Sequence, residues 1–107
     1  MNPRQGQSPQ PQRAFFVGRW KLVNDKGVVS LNLTVTKLGA KWDHTPTPGK
    51  WEVVGNDARF TWADGGRDIM RREEDGRITF LELGGATSWD SPPNRRYRGV
   101  RIAQSCG

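Results

Sequence analysis

From Ala14 onward almost every segment of this chain alternates apolar and polar residues at period two, and Gly, Asn, Asp or Pro interrupts the alternation every several residues. Successive side chains of a strand point to opposite faces, so this pattern commits the chain to short strands joined by tight turns, an all-β meander. No window has a convincing helical period. The clearest run sets Val29, Leu31, Leu33 and Val35 on one face and Ser30, Asn32, Thr34 and Thr36 on the other, a strand with one wet side. Before it, Phe16, Gly18, Trp20 and Leu22 share a face opposite Arg19 and Lys21, and Asn24-Asp25-Lys26-Gly27 offers a hairpin in which Gly27 is free to take positive φ. Further runs cover residues 40–44, 50–54, 59–63, 67–72, 77–83 and 95–102. Glu73-Glu74-Asp75-Gly76 carries a strong hairpin signal, and residues 84–94 form a long loop. Eight antiparallel strands are enough to close a barrel whose interior is filled by side chains or holds one small ligand, and closure removes exposed edges. The predicted fold is therefore all-β, a single small meander barrel of about eight strands, with a two-sheet sandwich as the structural alternative.

At 107 residues the chain is the size of one domain. Residues 1–13 are Pro/Gln-rich and polar and read as a disordered tail; residues 14–103 form the barrel domain and residues 104–107 a flexible C-terminus. The tail has no apolar stretch of the kind a signal peptide or membrane span needs, so no membrane association is expected and the location is cytoplasmic by default. Five tryptophans, each able to bury far more area than a Val, predict a core built around indoles, with Trp20, Leu22, Leu31, Leu33, Trp51, Phe60 and Trp62 inside. The one cysteine, Cys106, makes no internal disulfide and is expected to be dispensable. Gly18-Arg19-Trp20 is echoed by Gly49-Lys50-Trp51, where Gly before an inward Trp lets a neighbouring group approach closely.

Enzyme signatures are absent. With one His and one Cys there is no zinc spacing, and the glycines have neither phosphate-loop nor dinucleotide spacing, so no cofactor is expected. His44 reads as an exposed or edge residue near a Pro-rich turn. Asp64 and Asp68 bracket Gly65-Gly66-Arg67, but turns use Asp for backbone hydrogen bonding, so no catalytic residue is assigned. The arginines carry the best signal. Lys plus Arg number 17 against 11 acids, a net charge of +6, and Arg95, Arg96, Arg98 and Arg101 crowd into seven residues without an acid among them. Such an excess attracts polyanions over about 8 Å at physiological salt. Trp89 lies in the Gly/Ser/Pro-rich loop, where it either plugs the barrel end or presents its ring to a ligand. The candidate site is a basic rim in which Arg98, with Arg71 or Arg67, lies beside Trp89 and Tyr97 and holds a planar or anionic group.

With a Gly-x-Trp opening the first strand and an Arg-rich last strand, the chain resembles the calycin-type barrels, which include lipocalins and the avidin group. The resemblance implies that an arginine of the final strand, Arg98 or Arg101, covers Trp20 at the closed end. The domain is shorter than a typical lipocalin and lacks paired cysteines and a recognisable set of biotin ligands. The combination Gly49-x-Trp51, Trp62-x-Asp64-Gly65, an Arg/Asp strand after it, and Asp90-Ser-Pro92-Pro93-Asn94 is similar to a domain of uncharacterised proteins of planctomycete bacteria, a module appended to longer chains. The expected function is a noncatalytic binding or accessory barrel for a small ligand or a protein partner. The alternative is a basic barrel that binds single-stranded nucleic acid, its groove neutralising phosphates while rings stack on bases.

Overall fold

The computed structural model describes residues 9–85 and 88–102, and it is a closed eight-stranded antiparallel barrel with one short helix. Helix α1 (Pro9–Phe16) leads into β1 (Gly18–Val23), β2 (Val29–Thr36), β3 (Gly39–Trp42), β4 (Pro48–Val54), β5 (Asp57–Trp62), β6 (Arg67–Arg72), β7 (Ile78–Gly84) and β8 (Arg95–Arg101). Each strand pairs with the next, and β8 returns to β1 from Trp20↔Arg101 to Val23↔Arg98, so no edge is left open. The barrel expected from the alternation is the fold observed, and the sandwich is not. Among the described residues no helix is long and apolar enough to cross a membrane.

The period-two pattern translates directly into an inside and an outside. Trp20 and Leu22 of β1, Leu33 and Val35 of β2, Trp42 of β3, Trp51 of β4, Phe60 and Trp62 of β5, Met70 of β6, Phe80 of β7 and Tyr97 of β8 are all buried and all point inward. Rings fill the lumen. Trp51, Phe60 and Trp62 form a near-parallel stack with centroids 6.1 and 5.8 Å apart, and Trp42 and Phe80 pack against it at 5.2 and 6.4 Å. Offset stacks and edge contacts of this kind add to the burial that each ring already provides. Leu31 alone of the predicted core residues is only half-buried, because it borders a cavity at one barrel end.

Helix α1 forms where no window has a convincing helical period, and residues 9–13, read as part of the tail, belong to it. Pro9 and Pro11 are tolerated because they fall in the first turn, where no backbone N–H is needed for the helix ladder. The helix forms against the barrel, not on its own propensity. Phe16 is buried with its ring 6.3 Å from that of Trp51, the Trp20 indole N–H donates to the Phe16 carbonyl at 3.0 Å, and the Arg13 guanidinium lies 3.9 Å from the Trp51 ring centre. Arg13 also donates to the carbonyls of Lys37 and Trp51 at 2.7 and 3.3 Å. The remainder of the predicted tail, residues 1–8, and Cys106 lie outside the described residues.

Candidate functional site

The two barrel ends differ in chemistry. At the end where β1 begins, α1 lies across the opening. There Arg101 places its guanidinium 4.2 Å from the Trp20 ring and 5.2 Å from Phe15, and donates to the carbonyls of Val17 and Phe15 at 3.1 and 2.6 Å. Of the two arginines that could cover Trp20, Arg101 does so. Arg72 adds a second cation 4.1 Å from the other aromatic partner, Phe15. Gly18, at φ +144°, makes room for this arrangement, since a Cβ there would stand 2.9 Å from the Arg101 guanidinium.

The opposite end, formed by the β3–β4 and β5–β6 turns and the last residues of β7, holds a cavity of about 350 Å³. Trp42 and Trp62 wall it, and the His44 ring lies 5.7 Å from that of Trp42 at the rim. Trp62 reaches its position because Gly49, its register partner on β4, has no side chain: a Cβ at Gly49 would overlap the indole. The second Gly-x-Trp thus serves the open end as the first serves the closed end.

Inward positions near this cavity carry acids. Asp68 has the same parity on β6 as Met70, and its register partner Glu82 has the same parity on β7 as Phe80. Asp68 is only 6% exposed and is the one buried charged side chain among the described residues. The Trp62 indole N–H donates to its Oδ2 at 2.7 Å. A break in register frees a second donor. Arg67 pairs with Gly84 while Asp68 pairs with Glu82, so Leu83 is a bulge residue whose N–H is directed to the Asp68 carboxylate. Burial pushes the Asp68 carboxyl up to about 7; the Trp62 hydrogen bond opposes this, Glu82 and then Asp64 reinforce it, and the Leu83 N–H opposes it again. Asp64 behaves as a turn residue should, with its Oδ1 accepting from the Gly66 N–H at 2.9 Å.

The basic rim expected from the sequence is divided among separate places. Arg71 is locked to Asp57 through two hydrogen bonds of 2.8 and 3.0 Å, which raise the guanidinium pKa further. Tyr97 is inside the barrel, its ring 6.4 Å from Phe80. Arg98 is exposed on the outer face of β8, opposite Val23 and Thr79. Only Arg67 and Trp89 meet. Trp89 neither plugs the barrel nor faces a mouth: the β7–β8 loop folds back over the outer wall and lays the indole on Ile69, Leu81 and Leu83, with Arg59 and Arg67 each 5.2 Å from its ring. Those three residues have outward parity and are buried by this loop. The residues of this cavity that the sequence reading did not assign to a site include Trp42, Trp62, Asp68 and Glu82. The available signal was parity, which puts two acids on inward positions of adjacent strands.

No group of three or more His, Cys, Asp and Glu side chains among the described residues is placed to hold a metal ion. No family model matches the sequence, and no curated protein or solved structure matches it.

Proposed function

We propose that this protein is a noncatalytic small-ligand-binding barrel and that its site is the cavity at the open end. The observation that carries this reading is the change in the inward-facing residues along the lumen. Rings fill the barrel from the closed end to its middle, and at the mouth the same positions of β6 and β7 become carboxylates beside a cavity of about 350 Å³. A chain optimised only for stability would place apolar side chains there, since a buried carboxyl costs free energy unless it serves something. The volume lies at the lower end of the range for small-molecule sites, and the lining sets the two indoles of Trp42 and Trp62 among a larger polar share that includes Asp68 and Glu82. A single buried acid paired with an indole is not a catalytic constellation, so binding is favoured over turnover. The Arg101–Trp20 contact behind Gly-x-Trp supports kinship with the calycin-type barrels, which also close one end and open the other.

The test is a small-molecule screen by thermal shift and tryptophan fluorescence, with Thr47→Trp to block the mouth. Hits that raise the melting temperature of the native protein and lose that effect in the blocked variant are expected. A broad library that yields none overturns the reading. The second reading, a binder of single-stranded nucleic acid, rests on Arg96 and Arg98, exposed on the outer face of β8. It ranks lower because the rings that would stack on bases lie elsewhere: Tyr97 is buried in the lumen and Trp89 is laid against the wall.

A further inference from the structure

We infer that the ligand of the mouth cavity is a compact organic cation, a quaternary ammonium or protonated amine, seated against the indoles of Trp42 and Trp62 with its charge toward Asp68 and Glu82. This rests on the ligand-binding reading of the cavity and names the chemistry of what enters it. Three independent features of the site agree.

The walls come first. The Trp42 and Trp62 rings pack on each other at 5.2 Å with a 33° tilt and both line the cavity, with the His44 ring continuing the wall. An indole face attracts a cation most strongly of all side-chain rings, and the attraction grows when water is excluded. The charge comes second. Asp68 and Glu82 stand opposite each other on neighbouring strands, and Asp64 lies at the rim, so the ionised forms repel one another across the cavity. An anionic ligand would add to that repulsion, whereas a cation relieves it. The third feature is the small internal compensation. The nearest arginine to Glu82 is Arg95, at 3.8 Å and 72% exposed at its side chain, and Arg67 beside the cavity stacks its guanidinium on Trp89 at the outer wall. At the closed end the same protein satisfies its rings with its own cations, Arg13, Arg72 and Arg101, each about 4 Å from a ring. At the mouth neither Trp42 nor Trp62 has a cation over its ring among the described residues, and the one cation on the acids is the exposed Arg95 at Glu82.

The experiment uses matched probes: choline against 3,3-dimethylbutanol, its uncharged isostere, and benzylamine against benzyl alcohol and benzoate. Binding is followed by tryptophan fluorescence and by the indole N–H signals in two-dimensional NMR, where the Trp62 N–H on Asp68 is a direct reporter. The expected result is that choline and benzylamine bind at least about tenfold more tightly than their uncharged counterparts, that benzoate does not bind, and that Glu82→Gln and Asp68→Asn each weaken the cations severalfold. Glu82 is partly exposed, so Glu82→Gln keeps the test valid if Asp68→Asn folds poorly. Equal affinity for cation and isostere, or cation binding that Glu82→Gln leaves intact, overturns the inference and leaves the ligand-binding reading standing. Probes that leave the Trp42 and Trp62 signals unmoved also overturn it, whereas the ligand-binding reading falls only if the broad screen is empty as well.

Discussion

Asp68 shows how one residue can set both a stability profile and a site. Its carboxyl is pushed up to about 7 by burial, against about 3.8 in an unfolded chain. Between these values the folded state holds a proton that the unfolded state has released. The stability contributed by the neutral form is thus fully present below the lower value and is lost as pH rises through the upper one. Three pKa units at about 1.4 kcal/mol each set a ceiling of about 4 kcal/mol. Asp68→Asn keeps an acceptor for the Trp62 N–H but cannot ionise. Urea unfolding at pH 4.5, 6 and 8 is therefore expected to show the variant gaining on the native protein by a few kcal/mol from the lowest pH to the highest; a difference constant in pH would refute the assignment. Gly49 gives the opposite kind of prediction, steric and independent of pH. A Cβ there overlaps Trp62, and over-packing costs roughly 1–3 kcal/mol, so Gly49→Ala is expected to lower the unfolding midpoint and shift the Trp62 indole signal.

At the scale of elements, the strands were legible because inward residues such as Trp20, Leu33, Trp51 and Phe60 are each followed by a polar outward residue, and period two has one structural meaning. Helix α1 was not. Pro9 to Arg13 has no apolar face, and its ordering comes from Trp51 and the Lys37 carbonyl, partners distant in sequence. The mouth was half legible: Asp68 and Glu82 have inward parity, but their pairing depends on the register that the Leu83 bulge sets. Trp89 was misplaced for a related reason. Ile69, Leu81 and Leu83 sit at outward parity, and nothing local announces that the β7–β8 loop covers them with Trp89. Trp89 in this position is a structural clasp. Trp89→Ala is expected to cost about 1–3 kcal/mol, less than the 3–5 kcal/mol typical of a fully buried Trp because the ring is only half-buried. It should also speed amide exchange in β7 while leaving binding at the mouth unchanged. Unchanged stability would show that the loop does not dock.

The molecule as a whole carries +6, yet the one buried acid among the described residues and its register partner face a cavity, while Arg13, Arg72 and Arg101 lie on rings at the far end. This separation makes a small cation's binding depend on proton exchange at the mouth. Choline keeps its charge at every pH, so any pH dependence of its affinity belongs to the protein. A bound ammonium favours the ionised Asp68 carboxylate, and expelling the proton costs binding free energy wherever the free protein holds one. Affinity should then rise with pH through about 7, by several-fold between pH 6 and pH 8 and by no more than tenfold per unit, with proton release on binding at pH 6.5. The groups around Asp68 define the controls. Trp62 and the Leu83 N–H donate to it and do not titrate in this range, and Glu82 and Asp64 carry the same sign. His44 stands at the rim of the same cavity. His44→Gln removes the imidazole from the mouth and serves as the control. Titration calorimetry on His44→Gln is expected to keep the rise with pH and the released proton, and Asp68→Asn to abolish both. If His44→Gln flattens the profile and Asp68→Asn preserves it, Asp68 has only a structural role.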